Sequence, residues 1–205
     1  MGRREARRRE TRAEIVAAAW DVVRENGLGG LAMRELGDRV GMKAQSLYSY
    51  FASKHEIYDA MFLEGYLAFE AEVRALEEET AGADLREVAH GAARRFFRFC
   101  TSDPARYQLL FQRPIPEFEP SEESYAVAVR VYDALVGRLT ANGVTDPDAA
   151  DLWTATITGF ADQQLSNDPG GDRWERLLER AVDMVLREIA PDESETTDRA
   201  RRNPS

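Results

Sequence analysis

Leu31–Phe62 reads LAMRELGDRVGMKAQSLYSYFASKHEIYDAMF, and the spacing of its apolar residues decides the fold. Met33 to Val40 carries apolar residues at helical steps, Gly41 supplies a turn, and Ala44 to Tyr50 makes a second short helix. Two brief helices joined around a glycine are the pattern of a helix-turn-helix. Ser53 then offers an N-cap with Glu56 three residues later, which predicts a long helix from there to about residue 79. In the second short helix Leu47 and Phe51, four apart, can pack inward. That leaves Lys43, Ala44, Gln45, Ser46 and Ser49 on the side where a recognition helix faces base edges in a major groove. Gln45 has the amide to pair bidentately with adenine, and Lys43 has the ammonium to reach guanine acceptors. Tyr48 and Tyr50 suit phosphate contacts through their hydroxyls, with ordinary packing in a three-helix domain as the other use of such rings. Lys54, in the first turn of the long helix, is placed to meet a phosphate beside free backbone N–H groups.

Upstream, Ile15, Ala18, Ala19, Val22 and Val23 share one face of a helix from about 10 to 26, and Gly27 ends it. The arginines at 3, 4, 7, 8, 9 and 12 lead into this helix, either reaching DNA backbone or minor groove or forming a solvated charged terminus. The chain carries a net charge of -10, yet residues 1–54 hold eleven Lys/Arg against seven Asp/Glu. The basic end suits a polyanion, and the acidic remainder repels one. Both lysines of the chain, Lys43 and Lys54, lie in the basic segment.

With helix one, this segment resembles the DNA-binding domain of the tetracycline-repressor (TetR) family. The family pattern appears as Ile15 with Ala18-Ala19, Gly27, Leu36, Val40-Gly41-Met42, Leu47-Tyr48, Tyr50-Phe51 and Ser53-Lys54, in order and without insertion. The resemblance covers roughly the first 65 residues. It implies a DNA-binding domain over 1–53, a ligand-binding and dimerisation domain over 54–190, and double-stranded operator DNA as partner. It adds Arg34 as a base-contacting residue at the start of the second helix. The chain departs from the family at Ala32, where many relatives carry a Thr or Ser that caps that helix and binds phosphate.

The rest of the chain reads as helix throughout, giving an all-α fold of about nine helices. Further helices are expected over about 85–101, from Asp103-Pro104 through Phe111, over 121–142, from Asp146-Pro147 to about 165, and over 172–190. The Pro-rich stretch Arg113 to Glu123 is a loop, and the tail 191–205 is charged, polar and expected to be disordered. By the resemblance, the aromatic-rich helices enclose a pocket for an unknown, mainly apolar small molecule, with Phe96, Phe99, Cys100, Tyr107, Phe111, Tyr125, Trp153, Thr156 and Phe160 as lining. The other reading of such aromatic stripes is a filled core in a ligand-independent DNA-binding protein. The last two helices resemble the pair that joins family homodimers, with Ala155, Gly159, Gln163, Leu178, Val182 and Val185 as interface candidates.

Other classes find little support in the sequence. His55, His90 and Cys100 are the only histidines and cysteine, with none of the spacings of a nucleophilic, phosphate-cradling or metal-dependent active site. No catalytic residue, metal or cofactor is therefore expected, and Asp168 to Asp172 reads as a turn capping the last helix. Apolar runs are broken by charge too often to cross a bilayer, and the arginine-rich start lacks the apolar segment of a secretory signal, so the expected location is cytoplasmic.

Overall fold

The computed structural model describes residues 2–190; the expectation of a disordered tail at 191–205 lies outside them. Among the described residues the regular structure is helical: α1 (Arg3–Asn26), α2 (Met33–Arg39), α3 (Ala44–Leu47), α4 (Lys54–Glu79), α5 (Leu85–Thr101), α6 (Pro104–Phe111), α7 (Glu122–Ala141), α8 (Ala149–Asn167) and α9 (Glu175–Ile189), with a single 3₁₀ turn at Leu28–Gly30. The fold is all-α, as the apolar periodicity requires. Two helices differ from their expected extent. α1 begins at Arg3, so the arginine segment is helical and not an extended arm. α3 ends at Leu47, and Tyr48 to Tyr50 continue as turns closed by Tyr50 N–H to Leu47 O (2.8 Å) and Phe51 N–H to Leu47 O (2.9 Å).

The described residues form two compact units, one running to Ala71 and including Ser102–Val129, the other made of Glu72–Thr101 and 130–190. The expected boundary at 53/54 falls inside the first unit. There, Ile57, Tyr58 and Met61 of α4 and Ala105 and Leu109 of α6 join the same buried cluster as Ile15, Val22, Leu36, Leu47 and Phe51. Burial of each Val, Leu, Ile, Met or Phe side chain in this cluster contributes about 1.5–3 kcal/mol. Tyr58 sends its hydroxyl to the carbonyl of Leu28, and burial pushes its ionisation up to about 12. Asp103 caps α6 by accepting from Arg106 N–H (3.1 Å), and its other oxygen accepts Nε and Nη2 of Arg24 on α1 (3.1 and 2.9 Å).

Gly41 turns the chain between α2 and α3 with φ +66°, the left-handed region that favours glycine. Gly37 is needed for a different reason. A Cβ there would lie 2.6 Å from Met42 O and 3.1 Å from Ala44 N, so only glycine lets α2 sit this close to the start of α3.

In the second unit α5, α8 and α9 pack on one another. α5 buries Val88, Ala93, Phe96, Phe97 and Cys100; α8 buries Ala150, Trp153, Ile157 and Ala161; α9 buries Leu178, Val182, Leu186 and Ile189. Asp183 accepts Arg86 Nη2 and lies against His90 Nε2, both at 2.9 Å, and Arg94 reaches Glu179 at 3.1 Å, so charged pairs tie α5 to α9. The hydrogen bonds from Arg86 and His90 hold the Asp183 carboxyl below its ordinary range. The turn between α8 and α9 is knit around buried Gln164, which accepts Trp174 N–H (3.0 Å) and donates to Gly171 O (3.1 Å), while Asp168 accepts Arg173 N–H (2.9 Å). The acidic turn therefore organises its own backbone.

Candidate nucleic-acid interface

α3 holds only four residues, too few to be stable alone, so its position comes from tertiary packing. Leu47 and Phe51 are fully buried, as their spacing predicts. The opposite side presents Lys43, Gln45, Ser46 and Ser49 to solvent, with Ala44 half-buried. Lys43 is the N-cap of α3 and Ser49 folds its hydroxyl back onto Ser46 O at 2.7 Å. Arg34 is exposed in the first turn of α2, whose N-cap Ala32 makes no side-chain cap bond. Arg39, also on α2, is engaged by Glu25 and Glu35, and its hydrogen bond holds the Glu25 carboxyl below the ordinary range.

The two tyrosines separate. Tyr48 is 52% exposed, whereas Tyr50 is half-buried and packed against the core of the first unit. Lys54 opens α4 with its ammonium 5.4 Å from the centre of the Tyr58 ring. Ser53 accepts Glu56 N–H (3.2 Å), and the Glu56 carboxylate reaches back to Ala52 N–H (2.8 Å) rather than to Ser53 N–H.

One feature of this surface is not visible in the motif. Arg8 Nη2 donates to Ser49 O at 2.8 Å with its guanidinium 5.4 Å from the Tyr50 ring centre, and Arg12 donates to Tyr50 O with its guanidinium 3.9 Å above Phe51. Residues 8, 12, 15 and 19 share one helical face, and the last two, Ile15 and Ala19, are fully buried. That register was the available signal.

The candidates for an effector pocket fall in several places. Phe111 and Tyr125 line a cleft of about 470 Å³ in the first unit, together with Phe62, Tyr66, Ile115 and Phe118. Tyr107 is buried in the same unit, while Phe96, Phe99, Cys100 and Trp153 are buried in the second. Thr156 and Phe160 instead line an apolar groove of about 390 Å³ along α8 and α9, with Leu152, Leu177, Met184 and Val185. Of the interface candidates, Leu178 and Val182 face the wrong way for a contact with a second copy. Ala155 and Gly159 are exposed and Gln163 and Val185 half-buried, but Leu178 and Val182 are each only 1% exposed, because they belong to the inward stripe of α9. The outward apolar residues are Leu152, Leu177 and Met184. Among the described residues no helix is long and apolar enough to cross a membrane.

Paired short helices, one of them presenting a polar face over a buried core, define a helix-turn-helix protein of all-helical build. Two family profiles match the chain: residues 15–61 match bacterial regulatory proteins of the tetR family, and residues 89–185 match a tetracyclin repressor-like C-terminal domain. Together they take in more than half of the chain, which belongs to the tetR family, a family of regulators and not of enzymes. The HTH-type transcriptional regulator Rv1816 of Mycobacterium tuberculosis is 25% identical over 146 residues, covering 71% of this chain and 62% of that protein. The chain thus spans less than two thirds of that curated relative. Among solved structures, the regulatory protein SCO4313 superposes with a TM-score of 0.74 at 23% identity, covering 90% of this chain and 99% of the other. FadR of Bacillus subtilis in complex with stearoyl-CoA superposes with a TM-score of 0.69 at 20% identity, covering 85% and 97%. At these identities the two structures support the fold alone.

Proposed function

We propose that this protein is a cytoplasmic, homodimeric transcription repressor that binds a two-fold symmetric operator through α2 and α3 and is released from it by a small, mainly apolar ligand. The observation that carries this reading is the division of α3: Leu47 and Phe51 are fully buried, so Lys43, Gln45, Ser46 and Ser49 are held outward on a fixed frame. Such a row of donors and acceptors on a short helix suits the major groove, with Arg34 beside it and Tyr48, Tyr50 and Lys54 on phosphates. A dimer is supported by Leu152, Leu177 and Met184, large apolar side chains exposed along one groove of α8 and α9, beside the small residues Ala155 and Gly159. Two recognition helices related by a two-fold axis read a palindrome with half-sites one DNA turn apart.

An apolar effector is supported by the cleft at Phe62, Tyr66, Phe111 and Phe118, whose volume falls in the range of small-molecule sites. The repressor reading follows the description of the C-terminal family. Selection from random duplexes tests the reading: a two-fold symmetric site should be enriched, and release of that site on adding fatty acyl-CoAs or planar aromatic probes tests the effector. A selection that returned no symmetric site would overturn the proposal.

A further inference from the structure

Six arginines lie between residues 3 and 12, and the structure divides them. Arg3, Arg4, Arg7, Arg8 and Arg9 are exposed and Arg12 is half-buried, but Arg8 and Arg12 turn their guanidiniums onto the end of the recognition helix. They stand four residues apart, in line with buried Ile15 and Ala19, where a longer core would carry apolar side chains. Their guanidiniums instead donate to the carbonyls of Ser49 and Tyr50, where the chain leaves α3 for α4, and lie over the rings of Tyr50 and Phe51. This geometry combines one directed N–H bond with the flat face of the guanidinium against a ring, which the point charge of lysine does not reproduce.

We propose that Arg8 and Arg12 are positioning residues of the DNA-reading surface: they clamp the carbonyls of Ser49 and Tyr50 and so fix the pose in which Lys43 and Gln45 meet base edges. The inference rests on the reading of α3 as the recognition helix. α3 is four residues long, and its internal hydrogen bonds cannot define its direction. Leu47 and Phe51 hold it from beneath, and the two arginines hold its far end. A phosphate-binding role makes the opposite prediction about chemistry, because for a simple cation lysine is an adequate substitute.

The test uses full-length Arg12→Lys and Arg8→Lys, with Arg9→Lys as control, and has two arms. Without DNA, amide hydrogen exchange at Tyr50 and Phe51 should quicken by about tenfold or more in the two clamp variants while amides of α5 and α9 keep wild-type rates. With DNA, well below the melting temperature, the ratio of affinity for operator over scrambled duplex should fall by about tenfold or more for Arg12→Lys and stay within about twofold for Arg9→Lys. Unchanged exchange together with an unchanged ratio would overturn the proposal, as would equal weakening on both duplexes with a shallower salt dependence, which marks a phosphate contact. Faster exchange with an unchanged ratio would reduce the clamp to a purely structural role and overturn it as well. A wild-type protein with no operator preference would instead sink the DNA-binding reading, and the exchange arm would still decide whether the arginines hold α3.

Discussion

α3 and α9 both bury one side, yet they leave opposite chemistries on the other. Beneath α3 lie Leu47 and Phe51, and outside it stand Lys43, Gln45, Ser46 and Ser49. α9 buries Leu178, Val182, Leu186 and Ile189 and still keeps Leu177 and Met184 in solvent, Met184 at 57% exposure. A polar outer face over a fixed core suits a partner recognised by hydrogen bonds, and an apolar outer face suits one that removes it from water. On the proposed reading the first surface serves DNA and the second a second copy of the chain.

The comparison breaks most severely from beneath α3. Phe51→Ala should destabilise the protein by roughly 3–5 kcal/mol through cavity formation, measured by denaturant unfolding, and should also remove the ring under Arg12. At the other surface, Gly159→Arg should give monomers in sedimentation and weaken operator binding by about a hundredfold, about 3 kcal/mol. A Cβ at Gly159 would meet nothing within 4 Å, so each chain should keep its helical circular dichroism while its melting temperature falls to that of a monomer. A Gly159→Arg protein that stayed dimeric would move the interface off α8.

Smaller changes sharpen the same contrast. Gln45→Ala should cost about 1–3 kcal/mol and relax base preference at one position per half-site, which binding to a panel of single-base operator variants would reveal. Lys54→Ala should weaken operator and scrambled DNA alike and make the slope of log affinity against log salt shallower by about 2 per dimer, with Tyr48→Phe leaving it nearly unchanged. The smallest effect concerns Asp183. Arg86 and His90 depress its carboxyl in the folded state, so the contribution of these pairs is complete above the unfolded carboxylate range near about pH 4 and is lost as pH falls through the depressed value. Asp183→Asn should therefore flatten part of the acid side of the curve of melting temperature against pH.

The helix-turn-helix was legible because its punctuation is local: Gly41 at the turn, Leu47 and Phe51 at one helical step, Ser53 before a long helix. The faces of α9 were not. Leu177 is exposed and its neighbour Leu178 buried, and when adjoining faces both carry apolar residues the period alone does not say which is inner. Residues for an effector were least legible, since Phe96, Tyr107 and Phe111 share core spacing, and cavity shape, which spacing does not encode, separates buried from cleft-lining rings. Arg8 and Arg12 were hidden by composition: in an arginine-rich segment, nothing but their register with Ile15 and Ala19 distinguishes the two that fold back.

Gly37 carries a consequence for how this reading surface can evolve. The nearest obstacles to a side chain there are main-chain atoms of residues 42 and 44, not the movable tip of a neighbour. A change to alanine would have to be absorbed by shifting the entry to α3 itself, and with it every group that faces the groove. If Lys43, Gln45, Ser46 and Ser49 read bases as proposed, new operator preferences are open to substitution there, one base at a time, while position 37 is closed to drift: a mutation there would put the whole reading head out of alignment.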